Sequence, residues 1–196
     1  MRVSDLSPGS VEPLFRGRLG RPYRFVAECA STQRLLDGEK IEGATVATDH
    51  QTHGRGRLGR TWEAPPGRAL LFSVLLQPTP PMVLWPELSL VAGDAVAAAL
   101  RAETGVAAEL SNPNDVLIEG RKVAGILPEA SVGRVVLGIG VNVNQTAEEL
   151  PAEAPKPPTS LRVETGREWP RVPLLSAILL ELERGFDSWQ QLHTNR

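Results

Sequence analysis

Seven short apolar runs constrain the fold of this chain more than any other feature of its sequence. They are residues 23–27, 44–48, 70–76, 106–110, 116–118, 123–127 and 135–143. Runs of this length, rich in valine, isoleucine and leucine and bounded by turn-forming residues, are typical of β-strands. Glu119 and Gly120 stand between two of the runs and predict a hairpin turn, and Gly133 indicates a second turn.

Two longer segments, residues 84–103 and 173–191, have the periodicity of amphipathic helices. Their apolar residues recur at intervals of three and four, so each helix would bury one face. The helices do not alternate regularly with the strands, as they do in doubly wound folds. The pattern therefore predicts an α+β fold in which a mixed β-sheet is flanked by helices.

Composition narrows the class of protein. The chain has 196 residues, of which 41% are hydrophobic and 22% charged, and its net charge is -2. The length and the hydrophobic content fit one domain with a substantial core. The slightly negative net charge argues against a general nucleic-acid binder. The single cysteine, Cys29, excludes an intrachain disulfide framework. No apolar run approaches the roughly 20 residues that span a bilayer, and residues 1–20 do not resemble a secretory signal. We expect a cytoplasmic protein without a membrane partner, with residues 1–20 as an N-terminal arm of unassigned structure.

The most distinctive polar stretch is residues 51–62, Gln-Thr-His-Gly-Arg-Gly-Arg-Leu-Gly-Arg-Thr-Trp. Residues 54–60 contain three arginines and three glycines, and the whole stretch contains no acid. Glycine lets a backbone approach a ligand closely, and the planar guanidinium matches carboxylate or phosphate oxygens. Because the chain as a whole is slightly acidic, this local cluster predicts a site for a small anion. A solvated basic loop or a nucleic-acid patch is the alternative.

Three other stretches could carry chemistry. Residues 112–115, Asn-Pro-Asn-Asp, favour a turn but also place a carboxamide and a carboxylate where they could orient a nucleotide. Lys122 is one of three lysines beside 18 arginines, and its compact ammonium could stabilise a reacting oxyanion or simply be solvated. Gly138 and Gly140 lie inside a strand, where glycine weakens packing unless something must come close.

Ser31 and Thr32 precede a helical start at residues 33–37. On this pattern alone, their hydroxyls are best interpreted as helix caps.

These stretches, in this order, resemble the catalytic domain of monofunctional biotin protein ligases. The similarity covers about residues 23–189, and the Gly-Arg-Gly-Arg-x-Gly-Arg-x-Trp block is its most specific part. The residues that carry it are Ser31, Thr32, Gln33, Gln51, Gly54–Arg60, Trp62, Pro113, Asn114, Asp115, Lys122–Leu127, Glu129, Gly138–Asn142 and Thr159–Leu161.

The resemblance implies a fold, a reaction and partners. The fold is the one shared with lipoate ligases and, more distantly, class II aminoacyl-tRNA synthetases. Biotin would be activated with ATP and Mg²⁺ to biotinyl-5'-AMP and then transferred to a lysine of a biotin carboxyl carrier protein. Residues 21–196 would form the catalytic domain, without an N-terminal helix-turn-helix and hence without DNA binding, and with the small C-terminal β domain of many relatives absent or truncated. Many relatives form homodimers, which is open for this chain.

The resemblance also implies roles for individual residues. Lys122, Arg55 and Arg57 would be catalytic. The biotin site would consist of Ser31, Thr32, Gln51, Gly54, Arg55, Lys122, Gly125 and Gly138. The ATP site would consist of Arg57, Arg60, Trp62, Asn114, Asp115 and Asn142. No residue is implied as a direct metal ligand, although Asp115 is a candidate.

The sequence departs from the family at one notable place. The family's Pro-Asn-Asp turn is preceded by Lys-Trp, whereas this chain has Ser111 and Asn112 there. A cation beside the nucleotide is therefore missing from its usual position. Two alternatives stay open: a degenerate biotin-binding homologue with impaired adenylation and, as a lesser one, a lipoate or octanoate ligase.

Overall fold

The computed structural model describes residues 5–152 and 154–194, and one seven-stranded mixed sheet organises them. The strand order is β1-β2-β3-β7-β6-β5-β4; β1 and β2 are parallel and every other neighbouring pair is antiparallel. The strands are β1 Tyr23–Cys29, β2 Thr45–Gln51, β3 Ala69–Leu76, β4 Ala108–Ser111, β5 Asp115–Ile118, β6 Arg121–Ser131 and β7 Arg134–Asn142. All seven predicted strands are present, which confirms the α+β fold with a mixed sheet.

Four α-helices accompany the sheet in the described residues. They are α1 Pro8–Val11, α2 Leu88–Thr104, α3 Leu161–Thr165 and α4 Arg171–Thr194. Short 3-10 turns lie at Glu12–Leu14, Arg34–Leu36, Arg57–Gly59 and Met82–Glu87. Both long predicted helices are confirmed, but the first becomes α-helical only at Leu88. Pro86 explains the delay, since proline lacks the N–H that an α-helix uses and its ring clashes with the preceding turn.

The main hydrophobic core lies between α2, α4 and one face of the sheet. Strand β3 is buried along its whole length, and its Phe72 packs into this core. Ile126 and Ile139 belong to the same core. Because side chains alternate along a strand, their neighbours Gly125, Gly138 and Gly140 face the opposite side of the sheet. That side carries the candidate site.

The segment Met82–Thr104 is, by length and composition, apolar enough to cross a bilayer, and its most apolar 18-residue window has a mean hydropathy of 1.5. No run of this length was expected from the sequence. More than half of its most apolar window is buried inside the protein, against the sheet and α4. An alanine- and leucine-rich helix enclosed by a core reaches the same hydropathy as a membrane span, so its burial accounts for its composition.

The structure describes most of the N-terminal arm that the sequence left unassigned. From Asp5 onward it packs against the core, and Leu6, Val11, Phe15 and Leu19 are all buried. The segment mixes one helical turn, a 3-10 turn and extended chain, so its buried residues do not follow a single helical or strand period. Residues 1–4 lie outside the described part.

Both predicted turns are present. Glu119 and Gly120 have φ values of 49° and 77°, the left-handed pair that a tight two-residue hairpin requires. Gly133, with φ of 74°, occupies the turn between β6 and β7.

Candidate active site

A cavity of about 710 Å³ opens on the face of the sheet opposite α2 and α4. Its walls come from the end of β2, the arginine loop of residues 54–62, the start of β5, and the middles of β6 and β7. Thirteen of the residues singled out in the sequence line it: Ser31, Thr32, Gln51, Arg55, Arg57, Arg60, Trp62, Asn114, Asp115, Lys122, Gly125, Gly138 and Asn142. Gly54 does not line the cavity. It is buried behind the loop against the backbone carbonyl of Trp62, which leaves no space for a side chain.

Thr32 lies at one end of the cavity in a buried polar cluster. Its N–H donates to Gln51 Oε1 at 2.9 Å, and its hydroxyl reaches the same oxygen at 3.2 Å and the Ser73 hydroxyl at 2.7 Å. The short turn Arg34–Leu36 has no side-chain cap. The capping interpretation of Thr32 is therefore wrong, because its side chain contacts the half-buried Gln51 amide and the buried Ser73 hydroxyl instead. Ser31 is also buried at this end.

Glycines in β6 and β7 make room for two side chains of the site. A Cβ at Gly140 would lie 2.7 Å from Trp62 Cε2, and one at Gly125 would lie 2.9 Å from Trp62 Cζ3. A Cβ at Gly138 would lie 2.8 Å from Gln33 Cδ. Gly125 and Gly140 are paired across the two strands, so the indole covers a flat patch of bare backbone. The sequence indicated a close approach at Gly138 and Gly140, and the resemblance implied biotin beside Gly125 and Gly138. The structure shows that the side chains of Trp62 and Gln33 lie against these glycines.

The arginine loop is folded back on itself and crosses the cavity mouth. The Trp62 N–H donates to the Gly54 carbonyl at 3.0 Å, and the Gly56 N–H donates to the Arg60 carbonyl at 2.7 Å. Arg55 forms an ion pair with Glu129 on β6. Arg57 reaches across to donate to Asn114 Oδ1 at 3.1 Å. The loop thus connects both sides of the site.

Two buried donors of this loop, Arg55 Nε and Trp62 Nε1, have no hydrogen-bond partner among residues 5–152 and 154–194. Leaving a buried donor unsatisfied costs about 1–3 kcal/mol. An acceptor on a bound ligand would remove that cost, so both atoms indicate where ligand oxygens could lie.

The opposite end of the cavity is organised by Asp115 at the start of β5. Lys122 Nζ lies 2.7 Å from Asp115 Oδ1, and Lys156 Nζ lies 2.9 Å from Asp115 Oδ2. Partial burial alone would raise the pKa of Asp115, but the hydrogen bonds and charges of Lys122 and Lys156 outweigh it and lower that pKa below its ordinary value. Lys122 Nζ also lies 5.6 Å from the centre of the Trp62 ring, within cation–π range.

Asn142, a predicted ATP-site residue, is held by two side-chain hydrogen bonds. Its Nδ2 donates to the Thr159 carbonyl at 2.9 Å, and its Oδ1 accepts from Gln145 Nε2 at 2.8 Å. The Ser160 hydroxyl donates to the Gln145 carbonyl at 2.7 Å and caps α3 by accepting from the Val163 N–H at 3.1 Å. Asn142 therefore fixes the Thr159–Ser160 segment beside the cavity.

The described residues hold no group of three or more His, Cys, Asp or Glu side chains that could bind a metal ion. Both oxygens of Asp115, the candidate metal ligand, face lysine ammonium groups. This arrangement does not fit a resident metal ion.

Three residues of the site were not assigned a role from the sequence. The scarcity of lysine, which indicated Lys122 as a candidate site residue, applies equally to Lys156, because the chain has only three lysines. Gln33 and Glu129 belong to the motifs of the resemblance, but nothing local indicates that Gln33 covers Gly138 or that Glu129 pairs with Arg55.

Residues 27–145 match the model of the biotin/lipoate A/B protein ligase family. The chain belongs to this family. It is 40% identical over 184 residues to a biotin--[acetyl-CoA-carboxylase] ligase of Mycobacterium tuberculosis, covering 87% of this chain and 66% of that protein. It is 36% identical over 177 residues to the bifunctional ligase/repressor BirA of Bacillus spizizenii, covering 86% and 54%. The chain thus spans only about half to two thirds of the length of these relatives.

A solved structure of the family has the same fold. The biotin protein ligase of Aquifex aeolicus in complex with biotin and ATP has a TM-score of 0.79 and 35% sequence identity, and the match covers 87% of this chain and 72% of that one. The biotin/lipoate ligase family is therefore established for this chain by sequence and by fold.

Proposed function

We propose that this chain is an ATP-dependent biotin protein ligase: it activates biotin to biotinyl-5'-AMP and transfers biotin to a lysine of a carrier protein. The observation that carries the proposal is the division of one cavity into two ends. Hydroxyl and amide groups of Ser31, Thr32 and Gln51 lie at one end, and Lys122 and Lys156 converge on Asp115 at the other. A neutral ureido ring and a polyphosphate need these two environments.

The first step joins two anions. An oxygen of the biotin carboxylate attacks the α-phosphorus of ATP, the bond to the bridging oxygen breaks, and pyrophosphate leaves with the electron pair. Fixed cations lower this barrier because they offset repulsion between carboxylate and phosphate as charge gathers in the transition state. Arg55, Arg57 and Lys122 are suited to this work, since all three line the cavity and lie on two sides of it.

Within this proposal, the remaining side chains bind the two substrates. Ser31, Thr32 and Gln51 hydrogen-bond the ureido ring. Gly125 and Gly138 keep that wall of the biotin site free of side chains of their own, beneath Trp62 and Gln33. Trp62 covers adenine from the loop, with Arg60 at its edge. Asn114, Asp115 and Asn142 support the nucleotide side, and Mg²⁺ arrives with the ATP phosphates rather than on a protein site.

The second step forms an amide. The neutral amine of an acceptor lysine attacks the carbonyl carbon of the mixed anhydride, AMP leaves, and the amine nitrogen loses a proton. Water must be kept out meanwhile, a task suited to the loop of residues 54–62 at the cavity mouth. A biotin carboxyl carrier protein is the proposed acceptor and the cytoplasm the proposed location. Independence from DNA and the oligomeric state stay predictions.

The test is biotin-dependent exchange of labelled pyrophosphate into ATP. We expect exchange by the natural chain, and a loss of about 100-fold or more in Arg55→Ala and Lys122→Ala, since removing one transition-state donor typically costs this much. Lys40→Ala is the matched control, because Lys40 is an exposed lysine outside the cavity. Exchange that requires lipoate instead of biotin would indicate the lipoate ligase. Biotin binding by calorimetry without exchange would indicate the degenerate binder.

A further inference from the structure

Lys156 is the one cation of the site that comes from the proline-rich loop of residues 151–158. Its Nζ lies 2.9 Å from Asp115 Oδ2 and 3.0 Å from the Ser111 hydroxyl. It lines the same cavity as Lys122, although the two lysines are separated by 34 positions in the chain. Two of the three lysines of this protein therefore converge on one carboxylate.

Backbone pairing holds the Lys156 loop against strand β6. The Lys122 N–H donates to the Pro157 carbonyl at 2.7 Å, and the Thr159 N–H donates to the Lys122 carbonyl at 2.8 Å. Pro158 forms a parallel bridge with Lys122. The residue that follows Lys156 is thus bonded directly to Lys122, and both ammonium groups are brought to the same end of the cavity by paired backbones.

The charges at this end do not balance within the cluster. Asp115 supplies one negative charge to two ammonium groups, and its side chain is only 13% exposed. The Lys156 side chain is 34% exposed and can be reached from the cavity. An ammonium in excess of its carboxylate partner is suited to bind a phosphate oxygen.

In the folded protein, Lys156 lies beside Ser111, the residue at which the sequence departs from the family's Lys-Trp-Pro-Asn-Asp pattern. Ser111 stands where the resemblance to biotin protein ligases implies a lysine before Pro-Asn-Asp, and the Ser111 hydroxyl is a direct partner of Lys156 Nζ. A lysine at position 111 would compete with Lys156 for this space, whereas serine accepts its hydrogen bond.

We propose that Lys156 binds the phosphates of ATP, because it brings a second, partly exposed ammonium group from the 151–158 loop to the Asp115 end of the cavity. This inference rests on the proposed ligase function. In this proposal Ser111 accepts a hydrogen bond from the Lys156 ammonium group. Phosphate binding then depends on a loop whose backbone pairs with that of Lys122.

The test compares Lys156→Gln, Lys156→Arg and the double variant Lys156→Gln/Ser111→Lys with the natural chain. Lys40→Gln is the control for removing an exposed lysine. Calorimetric titration with ATP and with adenosine is combined with pyrophosphate exchange and thermal unfolding. We expect Lys156→Gln to weaken ATP binding about ten- to a hundredfold, the usual effect of losing a charge-assisted hydrogen bond, and to leave adenosine binding unchanged. Lys156→Arg and the double variant should recover most of that loss.

Two outcomes for the Lys156 variants contradict the inference. If Lys156 serves only as a structural partner of Asp115, Lys156→Gln will weaken ATP and adenosine equally, or lower stability without a selective effect on ATP. If Lys156→Gln binds ATP as Lys40→Gln does, the inference is wrong. Pyrophosphate exchange by the natural chain tests the ligase function separately. If the natural protein binds ATP through Lys156 but catalyses no exchange, the proposed ligase function is wrong, whereas the role of Lys156 in ATP binding is supported. No ATP binding by the natural chain would overturn both.

Discussion

Gly140→Ala tests whether bare backbone under Trp62 is needed for the reaction. The new methyl group would lie 2.7 Å from Cε2, 2.9 Å from Cζ2 and 3.0 Å from Nε1 of the Trp62 ring. Ordinary carbon–carbon contacts are about 3.5–4.0 Å, so the two must separate by about 1 Å. Strand β7 is held on both sides by β3 and β6, whereas Trp62 lies on a loop. The ring, not the strand, should therefore move.

The displacement should affect catalysis more than stability. A misplacement of about 1 Å can cost on the order of 100-fold in rate, so we expect kcat/KM for biotin-dependent exchange to fall about 10- to 100-fold, or about 1.4–2.8 kcal/mol. Overpacking a rigid core costs about 1–3 kcal/mol of unfolding free energy, and we expect less here because the half-buried ring can move outward. Gly9→Ala is the matched control, since no atom lies within 4 Å of its new Cβ.

A double-mutant cycle tests whether contact with Trp62 causes the effect of Gly140→Ala. Trp62→Ala removes the atoms that the new methyl group would meet, so in that background Gly140→Ala should cost almost nothing. If Gly140→Ala lowers exchange by the same factor with and without the indole, contact with Trp62 is not the cause and the reasoning fails.

Two further predictions concern stability. Because the folded-state pKa of Asp115 is depressed, its ion pairs stabilise the protein fully above the ordinary carboxyl pKa of about 3.9, and this contribution is lost as the pH falls through the lower folded value. Thermal unfolding between pH 7 and 2 should therefore show an acid-dependent loss of stability that is smaller in Asp115→Asn. The same pH dependence of stability in both proteins would contradict the lowered pKa. Arg171 is 5% exposed, contacts Asp5, lies 2.8 Å from Asp49 Oδ1 and donates to the Ala69 carbonyl at 3.1 Å. Arg171→Ala should therefore lower the free energy of unfolding in urea by about 3–5 kcal/mol, whereas exposed Arg184→Ala should change it by less than about 1 kcal/mol; equal effects would show that burial of the charge is not what matters.

Sequence alone was sufficient for the elements of the fold. Strands and long helices are recognisable because their side-chain periods are local, and each of the seven apolar runs became a strand. Local chemistry also indicated most of the cavity, since glycine, arginine and the Asn-Pro-Asn-Asp turn each favour a close backbone or an anion. The element boundary near Pro86, the length of the apolar segment Met82–Thr104, the packing of residues 5–20 and the short helix α3 were not predicted.

The partners of the site residues were decided only by the tertiary structure. Thr32 meets Ser73 across 41 positions, Lys156 meets Asp115 across the same number, and Trp62 covers two glycines on separate strands. Such pairs depend on strand order and register, which bring distant segments together at distances that no local pattern encodes. A hydroxyl just before a helical turn is a good cap in isolation. Once the sheet has formed, however, the half-buried Gln51 side chain and the Ser73 hydroxyl become the partners of Thr32. The motifs thus specify which chemical groups the protein contains, and the sheet decides which of them touch.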